Sequence, residues 1–434
     1  MILLLASLLA IGQPTKPNIV FIVADDLGSF DVSWRGGKIP TPNLDKLALA
    51  GARLEAHYVL PVCSPTRAAL MTGRYPMRHG LQEGVVRPWA RYGLPLDERT
   101  LPQALREAGY ETAITGKWHL GHFERDYLPT RRGFDHQYGH YMGAIDYFKH
   151  DRDGGFDWHR DDKVCREEGY STDLIAAEAA HLVEKRDIQK PLFLYVPFNA
   201  VHSPLQVAER HQALFPELKP NRRKYACMLT AMDEGVGKIV AAVEKAGIRD
   251  NTLFVFTSDN GGPNPGPLTD NGPYRAGKGT LYEGGVRVAA FATWTGKIPA
   301  GTIDQPMHVA DWYPTLVKLA GGKLAQAKPL DGMDLWPVLT GKSGAGQREI
   351  LINSTDNGGA IRVGDHKLVV AGKKVELFNL KQDPGEKTNL AGSESSRVRE
   401  LSDRLEKYRR EAVPSKQKPQ PAGYKAPAIW GEVE

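Results

Sequence analysis

The sequence is poor in cysteine: 434 residues carry three, Cys63, Cys165 and Cys227. Their irregular spacing excludes a disulfide framework and supplies no paired zinc motif. The chain also lacks an apolar run of the roughly 20 residues that a membrane span needs. The apolar stretch from Met1 to Gly12 has the length of a secretory signal's core, and residues 13–17 separate it from the next apolar run. Residues 1–16 are therefore expected to be a signal and linker, which places the protein in the periplasm or outside the cell. Charge of one sign is scarce too, since 56 Lys and Arg against 51 Asp and Glu leave a formal net charge of +5. With only short basic runs such as Arg222-Arg223-Lys224, no nucleic-acid partner is expected. There is no internal repeat.

What is present is ordinary globular material, 41% hydrophobic and 25% charged, in a chain long enough for one large domain with a smaller appendage. Four short apolar runs, at residues 18–24, 111–115, 191–198 and 252–257, read as strands buried on both faces. Helical patterns lie between them. Thr41 and Pro42 open one that Gly51 closes, and others cover 101–108, 172–185 and 226–246. This alternation predicts an α/β sandwich with a large, mainly parallel sheet. After residue 342 the texture changes to four short strands within 349–378, with turn signals between them, followed by a helix that places Val398, Leu401, Leu405 and Tyr408 on one stripe. The expected division is a catalytic domain over 17–342, a small antiparallel sheet and helix subdomain over 343–413, and a Pro/Lys-rich tail over 414–434 that wraps the surface or is loose.

In an open parallel sheet, functional groups gather beyond the carboxyl ends of the strands. The polar residues there are Asp25 and Asp26, then Lys117 and His119, then His202, then Asp259 and Asn260. Three carboxylates and an amide oxygen suit Ca²⁺ or Mg²⁺ and would suit zinc poorly. Lys117 and His119 are two residues apart, so extended backbone would point both to one side. In Cys63-Ser64-Pro65-Thr66-Arg67, Ser64 is expected to cap a helix that Pro65 begins and Gly73 ends. That puts Cys63 where free N–H groups stabilise an anion, with Arg67 one turn on. A lone cysteine is usually a small core hydrophobe; the neighbours argue otherwise here. Lys278 lies in Gly272-Pro273-Tyr274-Arg275-Ala276-Gly277-Lys278-Gly279, which nearly spells a P-loop. Gly279 replaces the required Ser or Thr, and no buried strand precedes it.

Cys-x-Pro-x-Arg resembles the signature at which sulfatases convert cysteine to formylglycine. The resemblance runs from about residue 17 to about 390. It includes Ala24-Asp25-Asp26-Leu27-Gly28, Gly116-Lys117-Trp118-His119, Ser258-Asp259-Asn260-Gly261-Gly262 and Glu376-Leu377-Phe378-Asn379-Leu380, in family order. Within the family it is strongest to the N-acetylgalactosamine-4-sulfatase type, through residues 128–135, 191–195 and 282–287. The resemblance implies an alkaline-phosphatase-like fold and hydrolysis of sulfate esters by a formylglycine made from Cys63. It implies one Ca²⁺ held by Asp25, Asp26, Asp259 and Asn260, with the residue made from Cys63 as a further ligand. Arg67 and Lys117 would neutralise the sulfate, His119 would act as base, and His202 and Lys278 would face the leaving oxygen. The implied partners are a sulfated carbohydrate, with a terminal 4-O-sulfated N-acetylgalactosamine or galactose-type sugar as target, and a formylglycine-generating enzyme. The rival reading is a phosphatase or phosphodiesterase of the same superfamily. The loops 79–91, 139–158 and 308–312 are expected to form the sugar subsite, with aromatic residues such as Tyr141, Tyr147 and Trp312 stacking on a ring.

Overall fold

The structure is a computed structural model that describes residues 16–342 and 347–432. The expected signal segment and most of the glycine-rich junction after residue 342 lie outside the described residues. In chain order, the large sheet contains β1 (Asn18–Ala24), β2 (Ala52–Leu54), β3 (Glu111–Lys117), β4 (His136–His140), β5 (His159–Arg160) and β6 (Lys163–Val164). It continues with β7 (Leu192–Pro197), β8 (Thr252–Ser258), β9 (Ala290–Thr293) and β10 (Gly301–Ile303). These strands lie side by side as β10-β2-β9-β8-β1-β7-β3-β4-β5-β6. The central strands β8, β1, β7, β3 and β4 are parallel. β9 and β5 then join antiparallel on either side. The expected parallel sheet is thus its centre, and the margins, where antiparallel pairs enter, are strands too short to show a readable alternation.

All seven residues of β1 are buried, and alternate ones serve opposite cores. Ile19, Phe21 and Val23 pack with Leu70 of α2 (Cys63–Thr72), Leu105 of α3 (Leu101–Glu107) and Leu316 of α6 (Trp312–Leu319). Val20, Ile22 and Ala24 pack with Leu44 of α1 (Pro42–Leu49), Ile175 of α4 (Ser171–Lys185) and Val236 of α5 (Pro220–Lys245). A strand sandwiched in this way has no wet face, which is why it reads as one continuous apolar run.

The second sheet is an antiparallel meander of β11 (Glu349–Thr355), β12 (Gly358–Val363), β13 (His366–Ala371) and β14 (Lys374–Asn379). Helix α7 (Ser395–Arg410) covers it with Leu401 and Leu405, as its stripe predicts. Where this sheet meets the large one, the fully buried Lys367 of β13 pairs with Glu283 at 2.9 Å and Glu386 at 2.8 Å. Glu283 also accepts a hydrogen bond of 2.6 Å from the Tyr58 hydroxyl. The chain beyond α7 then crosses back over the large sheet's end as a strap. Val413 and Lys416 donate backbone hydrogen bonds to Met77 and Gly80, while Phe156 and Trp430 exchange theirs with Ala428 and Phe156. Of the two expectations for the tail, wrapping is the one observed.

Candidate active site

The register places Ala24 of β1 opposite Ser258 of β8, so the residues that follow, Asp25 and Asp259, leave the sheet side by side. The Asp259 amide extends the ladder by donating to Ala24 O at 3.0 Å, and the Asp25 amide donates to Ala200 O at 3.0 Å, just ahead of His202. β3 ends on Lys117, beside β7. Each polar residue singled out at a strand end therefore comes to one place, and nearly all are buried.

Helix α2 begins at Cys63 with Val62 as its N-cap, two positions ahead of the expected start. Ser64 is not the cap, because its hydroxyl has other work: it donates to His119 O at 3.0 Å and accepts from the Val86 amide at 3.0 Å. Gly73 stops the helix at φ 67° as expected. The Cys63 Sγ faces Asp25 Oδ1 at 3.6 Å. Burial, then the charges of Asp25 and Asp259, push this thiol far above its ordinary range.

Four basic groups answer the carboxylates. Lys117 Nζ binds Asp25 Oδ2. Arg67 donates to Asp259 Oδ2 from Nε at 3.0 Å and Nη2 at 2.8 Å, and to Lys117 O at 2.9 Å. Lys278 Nζ lies 2.6 Å from Asp26 Oδ1, and His202 Nε2 lies 3.6 Å from Asp26 Oδ2. Burial works to raise both Asp25 and Asp26, yet Lys117 and His202 for the first, and His202 and Lys278 for the second, hold their carboxyls below the usual range. Burial opposes charge on Lys278 as well; the carboxylates of Asp26 and Asp25 outweigh it and hold the ammonium charged.

His119 is positioned by backbone in the left-handed region, φ 60°, rather than by an extended run from Lys117. Its Nε2 faces Val86 O at 3.0 Å. A carbonyl only accepts, so Nε2 carries the proton and Nδ1 keeps a lone pair; Nδ1 is buried without a hydrogen-bond partner. Burial, with Lys117 and Arg67 nearby, holds the imidazole well below its ordinary pKa and therefore neutral.

The donor set fits a hard cation. Ligand atoms of Asp25, Asp26, Cys63 and His202 lie within 4.8 Å of one another. Asp259 joins them through Arg67 and through the Asp26 amide, which donates to its Oδ1 at 3.4 Å. Asn260 turns Nδ2 to Asp26 Oδ1 at 2.7 Å and leaves Oδ1 buried without a partner. An orphaned amide oxygen beside three carboxylates is the kind of group a calcium-sized ion satisfies.

A cavity of about 210 Å³ opens over Cys63 and includes His119, His202 and Lys278 in its walls. Its other walls, Gly84 to Pro88, Gly143 and Arg152, belong to the loops 79–91 and 139–158 expected there, although none of these residues was singled out in the sequence. Gly143 is there for space, since a Cβ would lie 2.4 Å from the His119 ring. The expected stacking aromatics are corrected: Tyr141, Tyr147 and Trp312 are buried. Trp312 donates to His57 in the core at 3.1 Å, and the Tyr147 hydroxyl binds the carbonyls of Asn199 and His202 at 2.7 Å each. No signal of composition separates an aromatic on a loop's inner side from one on its outer side.

A family model described as Sulfatase matches residues 17–322. Arylsulfatase J of Mus musculus is 35% identical over 465 aligned residues, covering 93% of this chain and 78% of its own. N-acetylgalactosamine-6-sulfatase of Mus musculus is 36% identical over 360 residues, covering 76% of this chain and 68% of its own. Among solved structures, Ps i-CgsB in complex with k-i-k-neocarrahexaose matches with a TM-score of 0.86 at 36% identity, covering 92% of this chain and 94% of that one.

Proposed function

The chain belongs to the sulfatase family and is a sulfuric ester hydrolase, and from that premise we propose that Cys63, oxidised to formylglycine, carries its nucleophile. The observation behind this is the Cys63 environment: a thiol held protonated, at the first position of a helix, facing a cavity ringed by cations. Such a thiol is a poor nucleophile. A hydrated aldehyde at the same position supplies two hydroxyls on one carbon, one to attack sulfur and one whose deprotonation expels sulfate.

Asp25, Asp26, Asp259 and Asn260 would hold a calcium ion, which supplies positive charge for the sulfate oxygens. Arg67 and Lys117 orient the residue at 63 and neutralise the same charge. His202 Nδ1 donates to Ser203 O at 2.6 Å, so it is in its doubly protonated form that the ring gives a proton to the departing alcohol, from Nε2. Lys278 holds that oxygen by charge. His119 takes the second hydroxyl's proton at Nδ1. The division into a catalytic domain at 17–342, a subdomain at 343–413 and a tail at 414–434 belongs to this reading, as does export.

The substrate is a terminal, 4-O-sulfated N-acetylgalactosamine or galactose-type residue of a sulfated polysaccharide. The small cavity favours an end residue. The sugar type is supported by a relative named for N-acetylgalactosamine and by a solved structure bound to a neocarrahexaose. The 4-position rests on the resemblance of residues 128–135 and of the segment around Lys278 to the 4-sulfatase type. Mass analysis of the peptide containing Cys63 should show aldehyde in place of thiol, and full activity with an intact thiol would refute the mechanism. Disaccharides sulfated only at the 4- or only at the 6-position should release sulfate chiefly from the former; preference for 6-sulfate overturns the position and leaves the reaction.

A further inference from the structure

A second opening, a groove of about 490 Å³, lies beside the catalytic cavity and is walled by Trp89 to Tyr92 on one side and by the strap at Ser415 to Pro421 on the other. One loop builds both openings: Gly84 to Pro88 line the cavity and the next four residues line the groove. The strap fixes this wall. Trp89 Nε1 donates to Lys418 O at 3.0 Å, its ring meets Tyr424 edge-on at 6.2 Å, and the Arg87 guanidinium sits 5.9 Å from its centre. The result is an apolar floor of Trp89, Tyr92 and prolines, with the exposed cations Arg91, Lys416 and Lys418 around it. An aromatic face accepts the C–H side of a sugar ring, and cations on both rims suit sulfate groups beside it. A neutral glycan would leave the cations unused, and a purely ionic ligand would leave the floor unused.

We propose that this groove binds a further sulfated sugar of a polymeric substrate whose terminal residue occupies the catalytic cavity. It rests on the carbohydrate reading above and extends it from one sugar to the chain that carries it.

The test uses chondroitin 4-sulfate oligosaccharides, from disaccharide to hexasaccharide, titrated into the full chain carrying Cys63→Ala so that nothing is consumed. The hexasaccharide should bind about tenfold more tightly than the disaccharide. Trp89→Ala and Lys418→Glu should each erase that difference while leaving disaccharide binding unchanged. Placed in the matured enzyme, both should leave nitrophenyl sulfate turnover unchanged, which also reports that they fold. Affinity that does not grow with length, or variants that weaken short and long ligands equally, would overturn the groove. Sulfate release from the same sugars by the unaltered enzyme is scored separately. Length-dependent binding without cleavage removes the 4-sulfate reading and keeps the groove; cleavage without length dependence does the reverse; neither result removes both.

Discussion

The His119 imidazole is fixed at Nε2 by the Val86 carbonyl and left with a lone pair at Nδ1 in a site that keeps it neutral. His119→Ala should therefore lower kcat by roughly 10²–10⁴-fold, the usual worth of a positioned base. Gly143→Ala makes a sharper case, because the added Cβ reaches the ring without reaching the cavity chemistry itself. It should reduce kcat while the melting temperature stays near that of the parent; unchanged kcat would mean that the ring position does not matter. A different histidine governs stability. His136 lies between Asp161 and Glu178, each 2.9 Å away. Burial opposes its charge, but hydrogen bonds to those two carboxylates prevail and raise its pKa to about 9. Since the folded value exceeds the unfolded one of about 6.5, the stabilisation is complete below about pH 6.5 and fades as pH rises through about 9. Melting curves of the parent and of His136→Asn should differ at about pH 6 and converge near pH 10; a gap independent of pH would exclude the ion pairs as its source.

At the scale of elements, the seam between the two sheets depends on a fully buried lysine held by two glutamates. Lys367→Met leaves Glu283 and Glu386 facing each other without it, a loss of about 3–5 kcal/mol for a broken buried pair. Denaturant titration measures this, and a loss under about 1 kcal/mol would show that Arg287, whose guanidinium lies 3.4 Å from Glu283, suffices without it. Glu283 was visible in the sequence only as part of a motif, because its partners come from β13 and from residue 386, far along the chain. The elements that were legible share one property: their burial pattern is local. β1, β8 and the stripe on α7 could be read from a few adjacent residues. α5 was expected from residue 226 and begins at Pro220, since its first turn is Pro220-Asn221-Arg222-Arg223-Lys224 and shows no apolar period. Ser64 was expected as a cap because Ser before Pro is a strong local signal. Its bonds to His119 and Val86 are tertiary, and they won. The polar residues of the site were legible for a topological reason: they follow apolar strands, and parallel strands end together. The cavity walls at Gly143 and Arg152 follow no such rule and were expected only as parts of the loop 139–158.

For the molecule as a whole, the calcium proposal predicts that chelation lowers both activity and melting temperature, and that readded calcium restores both. At a hundredfold excess over its dissociation constant, an ion bound only by the folded state adds about 2.7 kcal/mol. Recovery by zinc alone, with no response to calcium, would contradict the oxygen ligand set. The strap has a consequence of another kind, one of timing. Residues 413–430 brace both sides of the site, through Gly80 just ahead of the wall at Gly84 to Pro88 and through the Arg152 carbonyl, to which the Trp430 indole donates at 2.9 Å, yet they follow every other part of the site in the order of synthesis. While the ribosome still holds this segment, the two large cores and the strand ends can already be assembled, but the loops above Cys63 are without their fastening.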